Sequence, residues 1–398
     1  MTTFPVLKLK KNEERRIRAG HLWVFSNEVD TAQTPLDRFQ AGELVDVQAS
    51  NGKSLGVAYI NPASLICARI MSRDPKHPPG ESLLVHRINV ALSLRQRFFE
   101  KPYYRLVYGE SDFLPGLVVD RFDDILVVQI TTAGMESMKT EAVAALEKTL
   151  RPRAILLRND SSAREREGLP LYTESVLGDV PEQIELEDSG VRYLAPIAEG
   201  QKTGWYYDQR MNRQALGGLA RDLRVLDVFS YIGAWGVKAA VAGAREVVCV
   251  DASAQALEMV GVNAELNGVA ERMSGLQGDA FEVLRALRED RERFDLIVVD
   301  PPAFIKRKKD FKQGREAYRR INEMAMQLLE RDGLLVAGSC SYHMPRHELQ
   351  SALLKGARHL DRNLQILLQG YQGPDHPVHP AIPETEYLKA IFTRVIPV

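Results

Sequence analysis

Asp227, Asp251, Asp279, Asp300 and Cys340 each stand at or just past a short apolar run in the second half of the chain: RVLDV, EVVCVD, MSGLQGD, FDLIVVD and GLLVAGSC. Carboxylates accept hydrogen bonds from hydroxyl, amino and cationic groups, and a thiolate attacks electrophilic carbon. A lone acid in such a place is commonly a helix N-cap. A lone cysteine is commonly a small apolar residue filling a core. The series, and its position at successive run ends, is what points to one site.

The turn after the first run reads DVFSYIGAWGVKAAVAG, with Gly233 and Gly236 where a missing Cβ lets backbone approach a ligand. The dinucleotide pattern GxGxxG is absent, because Tyr231 stands two residues before Gly233, which argues against a pyrophosphate docked on the following helix. Asp251 at the second run can accept both hydroxyls of a ribose. Asp279, in GDAF, can bind an amino-purine packed on Phe281. A nucleoside ligand without a phosphate cradle suggests S-adenosylmethionine, with Asp227 near the cationic end of its methionine portion. The expected cofactor pocket comprises Asp227, Phe229, Ser230, Tyr231 and Gly233, then Asp251 and Ser253, then Asp279, Ala280 and Phe281, with Asp300 adjoining.

FDLIVVDPPAF puts Pro301 and Pro302 directly after Asp300, so the chain leaves its strand stiff and short of two backbone donors. Such a turn can hydrogen-bond the exocyclic amino group of a flat base, with Phe304 stacked on it. Lys306, Arg307 and Lys308 come immediately afterwards and could grip phosphates around that nucleotide.

The elements that must position these residues are legible as a change of rhythm. From about residue 200, five apolar runs alternate with helical or loop stretches, the mark of a parallel sheet covered on both faces. Such sheets bind ligands outside the carboxyl ends of their strands. Residues 1–73 instead carry short runs broken by turns (VLKL, HLWVF, GELVDVQ, SLGVAYI, ICARIM) and predict a small β domain, which RDPKHPPGE links to the central part of the chain. Residues 74–190 predict a central α+β segment containing a helix from Leu83, GLVVDRFDDILVVQIT and the hairpin-like IELEDSGVRYLAPI. The last stretch, 191–398, is the α/β domain.

Three cysteines, Cys67, Cys249 and Cys340, are too few and too scattered for a disulfide framework or a metal-ligand pattern, so a reducing cytoplasm and no metal are expected. No apolar run reaches membrane-spanning length. Net charge is −1, so any polyanion partner must meet local patches such as LKLKKNEERRIRAGH and IKRKKDFKQGREAYRR.

With these residues in place, the order DVFSYIGAWG, VDAS, GDAF, DPPAF, GSCS resembles the class I S-adenosylmethionine-dependent RNA methyltransferases. More specifically, it is similar to bacterial 23S ribosomal RNA cytosine-C5 methyltransferases carrying an N-terminal PUA domain. GHLWVFSNEV, YGESDFLPGLVVDRF, KTGWYYDQR and DHPV extend the resemblance over the whole chain. It implies a small PUA-like β-barrel, a central α+β domain and a C-terminal Rossmann-like catalytic domain. It also implies that Cys340 is the nucleophile: its thiolate adds to C6 of cytosine, C5 takes the methyl group, and loss of the C5 proton expels the thiolate. Asp300 would bind or protonate the ring, and KTGWYYDQR, with Lys202, would form a flap placing Arg210 near the methionine carboxylate. Many RNA cytosine-C5 methyltransferases carry a second cysteine in this motif; DPPAF has Ala303 there instead, which resembles the single-cysteine subgroup. Cys67 and Cys249 read as core residues, and the architecture leaves room for a homodimer. Three other readings are a methyltransferase of a purine nitrogen, in which Cys340 is a bystander, a non-catalytic RNA-binding factor, and a nicotinamide oxidoreductase. The missing glycine pattern disfavours the last.

Overall fold

The structure is a computed structural model describing residues 4–198, 200 and 203–398, so Lys202 lies outside the described residues. Its chain divides into two compact units: one of residues 1–184, 196–207 and 374–385, the other of 185–195, 208–373 and 386–398.

In the first unit, β1 (Val6–Lys8), α1 (Glu14–Arg18), β2 (Trp23–Phe25), β3 (Leu44–Gln48), β4 (Ser54–Ile60) and β5 (Ile66–Ser72) give a five-stranded sheet in the order β1-β3-β4-β5-β2. A bridge between Leu9 and Val29, just beyond the two outer strands, ties the ends of this sheet together. Its core is β-branched and leucine-rich, including Leu7, Val24, Val45 and Ile70. The strand-like runs of residues 1–73 are all strands here.

A second five-stranded sheet has the order β10-β9-β8-β7-β6. It is built from α2 (Glu81–Phe98), β6 (Tyr103–Tyr108), β7 (Leu117–Phe122), β8 (Ile125–Ile130), α3 (Ala133–Ser137), α4 (Lys139–Leu150), β9 (Ala154–Asn159), α5 (Ser162–Arg166) and β10 (Tyr172–Leu177). Leu84 and Ile88 of α2 are fully buried against it, each contributing on the order of 1.5–3 kcal/mol. The two sheets of this unit share polar contacts: the Trp23 indole donates to Glu110 at 2.9 Å, and the Tyr59 hydroxyl to the Pro115 carbonyl at 3.0 Å. The segment 374–385 returns here from late in the chain, and Arg95 Nη2 donates to the Asp375 carbonyl at 2.7 Å.

The hairpin of β11 (Gln183–Asp188) and β12 (Val191–Pro196), expected in the central segment, belongs mostly to the second unit. Tyr193 donates to the Ala234 carbonyl at 3.0 Å, and Leu194 N to Asn263 at 2.7 Å. A boundary at 190/191 cuts through its turn. The rest of this unit runs α6 (Arg210–Gly217), β13 (Arg224–Val228), α7 (Ala234–Val241), β14 (Glu246–Asp251), α8 (Ala254–Leu266), β15 (Met273–Gln277), α9 (Ala280–Glu289), β16 (Phe294–Val299), α10 (Phe311–Gln327), β17 (Leu329–Ser339), α11 (Arg346–His359), β18 (Arg362–Gly370) and β19 (Lys389–Pro397).

Its seven strands lie in the order β15-β14-β13-β16-β17-β19-β18, the first five parallel and β19 antiparallel to both neighbours. The two remaining strands, β18 and β19, are not among the five that the apolar runs predict. Alternation sorts the buried strand residues by face. Leu226, Val228, Val248, Val250, Ile297 and Val299 share a core with α9, α10 and α11, whereas Asp227 and Cys249 point to the α7 side. Strand order reverses between β13 and β16, so a crevice is expected at their carboxyl ends. No helix among the described residues is long and apolar enough to cross a membrane.

Candidate active site

Asp227 is the penultimate residue of β13 and has no exposed surface. Its Oδ2 accepts the Gly236 amide at 2.8 Å, while its Oδ1 is buried without a partner. Burial pushes this carboxyl up to about 7, and the nearby charges of Asp300 and Asp251 act in the same direction. Gly236 makes the close packing feasible, because a Cβ there would lie 2.7 Å from Cys249 Sγ.

The turn after β13 is strained. Phe229 and Tyr231 hold φ of 67° and 49°, and Gly233 comes next at 82°. Bulky side chains rarely adopt such values, and where they persist they cluster at ligand sites. The Phe229 and Ser230 amides both donate to the Val250 carbonyl, and Asp251 Oδ2 accepts the Tyr231 amide at 2.8 Å. Asp251 Oδ1 takes the Ser253 amide at 2.9 Å, and Ser253 caps α8. The acid at the end of β14 therefore shapes the turn as well as facing it.

Asp279 is an exposed N-cap: its Oδ1 accepts the amides of Phe281 and Glu282 at 2.9 and 3.3 Å. Its second carboxylate oxygen makes neither bond. Phe281 is half-buried beside Phe304, ring centroids 6.4 Å apart, and Ala280 is in the core. Phe304 also packs 4.8 Å from the Tyr318 ring and 6.4 Å from Phe229, so it belongs to an aromatic cluster and is not a free platform.

Asp300 receives Gln209 Nε2 on both oxygens at 3.0 Å and Trp235 Nε1 on Oδ2 at 3.0 Å. Asn212 in turn donates to Gln209 Oε1 at 2.7 Å, fixing which end of that amide faces the acid. Sequence reasoning missed Gln209 and Trp235, although both stand in the stretches it singled out. Gly338 is required opposite, because a Cβ there would approach Asp300 Oδ1 to 2.6 Å.

Cys340 stands just past β17, partly exposed, with Sγ 3.9 Å from the carbonyl oxygen of Pro301. The thiol and the Asp-Pro-Pro turn thus meet at the ends of adjacent parallel strands. Ser339 and Ser341 are buried, and Ser341 Oγ accepts the Ile305 amide at 3.2 Å and lies 2.9 Å from the Tyr318 hydroxyl. These bonds lock the loop after β16 to the loop after β17. Cys67 and Cys249 are fully buried. Pro302, Lys306 and Lys308 are exposed, and Arg307 pairs with Asp310 at 3.2 Å.

Arg210, at the start of α6, is held by an ion pair. It donates to Asp188 of β11 at 3.1 Å, and Arg213 pairs with the other oxygen of the same carboxylate. Burial pushes the Asp188 carboxyl up, and the two guanidiniums outweigh it and leave the group below its ordinary value. Arg210 therefore anchors the hairpin to α6, a role that an ion pair across 22 residues gives no sequence signal for.

The residues fit S-adenosylmethionine. The unpartnered oxygen of Asp227 is suited to a cation, the strained turn exposes backbone, and Asp279 keeps an oxygen for a base.

Comparison with known proteins gives matching findings. Residues 7–73 match the PUA-like domain family, and residues 157–355 match a family of S-adenosylmethionine-dependent methyltransferases. The ribosomal RNA large subunit methyltransferase I of Erwinia tasmaniensis is 39% identical over 395 residues, covering 98% of this chain and 99% of that protein. The protein of the same name from Serratia proteamaculans is 36% identical over a similar span, 98% and 99%. Among solved structures, SMU.776, crystallised with SAH, superposes with a TM-score of 0.85 at 20% identity over 98% of this chain and 100% of that one, a likeness of fold.

Proposed function

Because the chain belongs to the ribosomal RNA large subunit methyltransferase I family, and is an S-adenosylmethionine-dependent methyltransferase, we propose that it forms 5-methylcytosine in large-subunit (23S) ribosomal RNA through a Cys340 adduct. The observation that carries this reading is the partly exposed thiol at the end of β17, 3.9 Å from the Pro301 carbonyl of the neighbouring Asp-Pro-Pro turn. A purine nitrogen attacks a methyl donor directly and has no use for a thiol there.

Bound S-adenosylmethionine supplies a methyl group made electrophilic by a sulfonium. On this reading Asp227, Phe229, Ser230, Tyr231, Gly233, Asp251, Ser253, Asp279, Ala280 and Phe281 hold it. The Cys340 thiolate adds to C6 of the ring, forming the S–C6 bond and shifting electron density to C5, which is otherwise a weak nucleophile. After methylation, loss of the C5 proton to water returns the C6–S electron pair to sulfur. Asp300, oriented by Gln209 and Trp235, is a carboxylate of the kind that accepts from the exocyclic amino group of cytosine. Pro301, Pro302 and Phe304 shape the ring's seat, and Lys306, Arg307 and Lys308 meet the phosphates. The exposed Ile366, Leu367 and Leu368 on edge strand β18 offer a second copy of the chain a pairing surface, so a homodimer is part of this reading.

The protein and its Cys340→Ser variant are incubated with methyl-labelled S-adenosylmethionine and unmodified 23S ribosomal RNA, and the nucleosides are identified by mass spectrometry. We expect 5-methylcytidine from the wild type and none from the variant. A methylated purine, or 5-methylcytidine from the variant, defeats the nucleophile reading.

A further inference from the structure

Lys389 opens β19, directly opposite Ser339 on β17, and is only 5% exposed. Its ammonium donates to the Ser341 carbonyl at 2.6 Å and to the Tyr387 carbonyl at 2.7 Å. One of these acceptors belongs to the residue directly after Cys340. Two of the three N–H groups are thereby satisfied by neutral oxygens, and no carboxylate among the described residues lies within 4.0 Å of the nitrogen. A buried ammonium without an anion is costly. A lysine kept in that position calls for an anion close by, and Glu386 acts on it only from beyond ion-pair distance.

The charged and titratable groups around it narrow the choice. Cys340 and His343 come from the loop after β17, Arg346 from α11, and Glu386 and Tyr387 from the approach to β19. Arg346 opposes a second cation and is itself engaged, donating to the Gly370 carbonyl and stacked 3.9 Å over the Tyr371 ring. Burial lowers the Lys389 ammonium to about 8, and the group that most strongly pushes it back up is a negative Cys340, ahead of Glu386. The effect is mutual, since linkage between two charges is reciprocal. Lys389 also lines a cavity of about 850 Å³ with Tyr342 and His343, which gives water a route to this spot.

We propose that Lys389 is the positioning residue of Cys340, the counter-cation that holds its sulfur as thiolate between turnovers. The S–H bond breaks, the proton passes to water in the cavity, and the electron pair stays on sulfur, where the nearby ammonium favours it. The proposal rests on Cys340 being the nucleophile, and it explains why the thiol sits at the junction of β17 and an antiparallel strand that the parallel part of the sheet does not require.

The test reads the thiol itself. The full-length protein and its Lys389→Met and Lys389→Arg variants are treated with iodoacetamide from pH 6 to 9, and the Cys340 peptide is followed by mass spectrometry. Binding of SAH by calorimetry reports whether each variant keeps its fold. We expect alkylation at pH 7 to fall at least about tenfold in Lys389→Met, with the rate recovered at higher pH, and to be largely restored in Lys389→Arg. Unchanged alkylation in a Lys389→Met protein that binds SAH normally overturns the proposal. Should Lys389→Met not fold, the reciprocal measurement decides: the Nζ resonance of Lys389 is titrated in wild type and Cys340→Ala. A lower midpoint in Cys340→Ala supports the pair, and an unchanged one overturns it. Neither readout uses RNA, so methylation by Cys340→Ser would defeat the proposed function while these data separately judge the ion pair.

Discussion

At the residue scale, the acids at the strand ends shape the structure as well as the candidate site. Asp227 is the sharpest case, because burial disfavours its charged form. Its folded value of about 7 lies above its ordinary 3.8, so below about pH 4 the carboxyl is protonated both folded and unfolded and costs nothing. As pH rises from about 4 to 7 the unfolded acid ionises while the folded one resists, and stability is lost to a limit of about 4 kcal/mol. Chemical denaturation of wild type and Asp227→Asn at pH 4.5 and 7.5 should therefore show the variant gaining relative to wild type at the higher pH, while its affinity for S-adenosylmethionine falls. Gln209 makes a second residue-scale prediction. Gln209→Ala removes a donor to a carboxylate, worth about 1.5 kcal/mol, so kcat should fall roughly tenfold with cofactor affinity little changed in calorimetry. The acids themselves are legible from their position after apolar runs. Their partners are not: Gln209 and Trp235 reach Asp300 from 91 and 65 residues away, and nothing local announces such a meeting.

At the scale of elements, helix α7 lies against β13 and β14 only because Gly236 lacks a side chain. Gly236→Ala would drive a methyl against Cys249 Sγ and toward Asp227 Oδ2, 2.7 and 3.2 Å away, which should cost about 1–3 kcal/mol in denaturant unfolding. Cys249→Ala in the same chain should recover part of that loss, a non-additivity expected only of touching groups. The five parallel strands are readable because each run carries a polar residue at, or one position from, its carboxyl end. β18 and β19 are not: Ile366, Leu367 and Leu368 are exposed on an edge, and β19 comes after a segment that belongs to the first unit. The β11–β12 hairpin is legible as a hairpin, but its anchors, Asn263, Ala234 and Arg213, lie well beyond it in sequence.

At the scale of the whole molecule, a net charge of −1 means that RNA affinity must come from where cations are left unmatched. Much of the basic run after Asp-Pro-Pro is already neutralised: Arg307 by Asp310, Arg315 by Glu348, and Arg319 by Glu316 and Glu323. Exposed Lys306 and Lys308 stand outside these pairs. Replacing both by Gln should weaken RNA binding at every sequence alike and lower the slope of log affinity against log salt by roughly two, measured by filter binding across ionic strengths.

The path of the chain has a further consequence, in time rather than space. β19 fills the gap between β17 and β18 and brings Lys389 to Ser339, yet it is made after the 374–385 excursion into the first unit. A nascent chain that has already emerged through Cys340 therefore holds a sheet with a missing plank. On the proposed Cys340–Lys389 pairing, its thiol lacks a counter-cation until residues 389–397 have been synthesised and take their place between β17 and β18. On that pairing, a ribosome that has not yet made β19 carries a Cys340 still without its counter-cation, a thiol about tenfold slower to react at neutral pH.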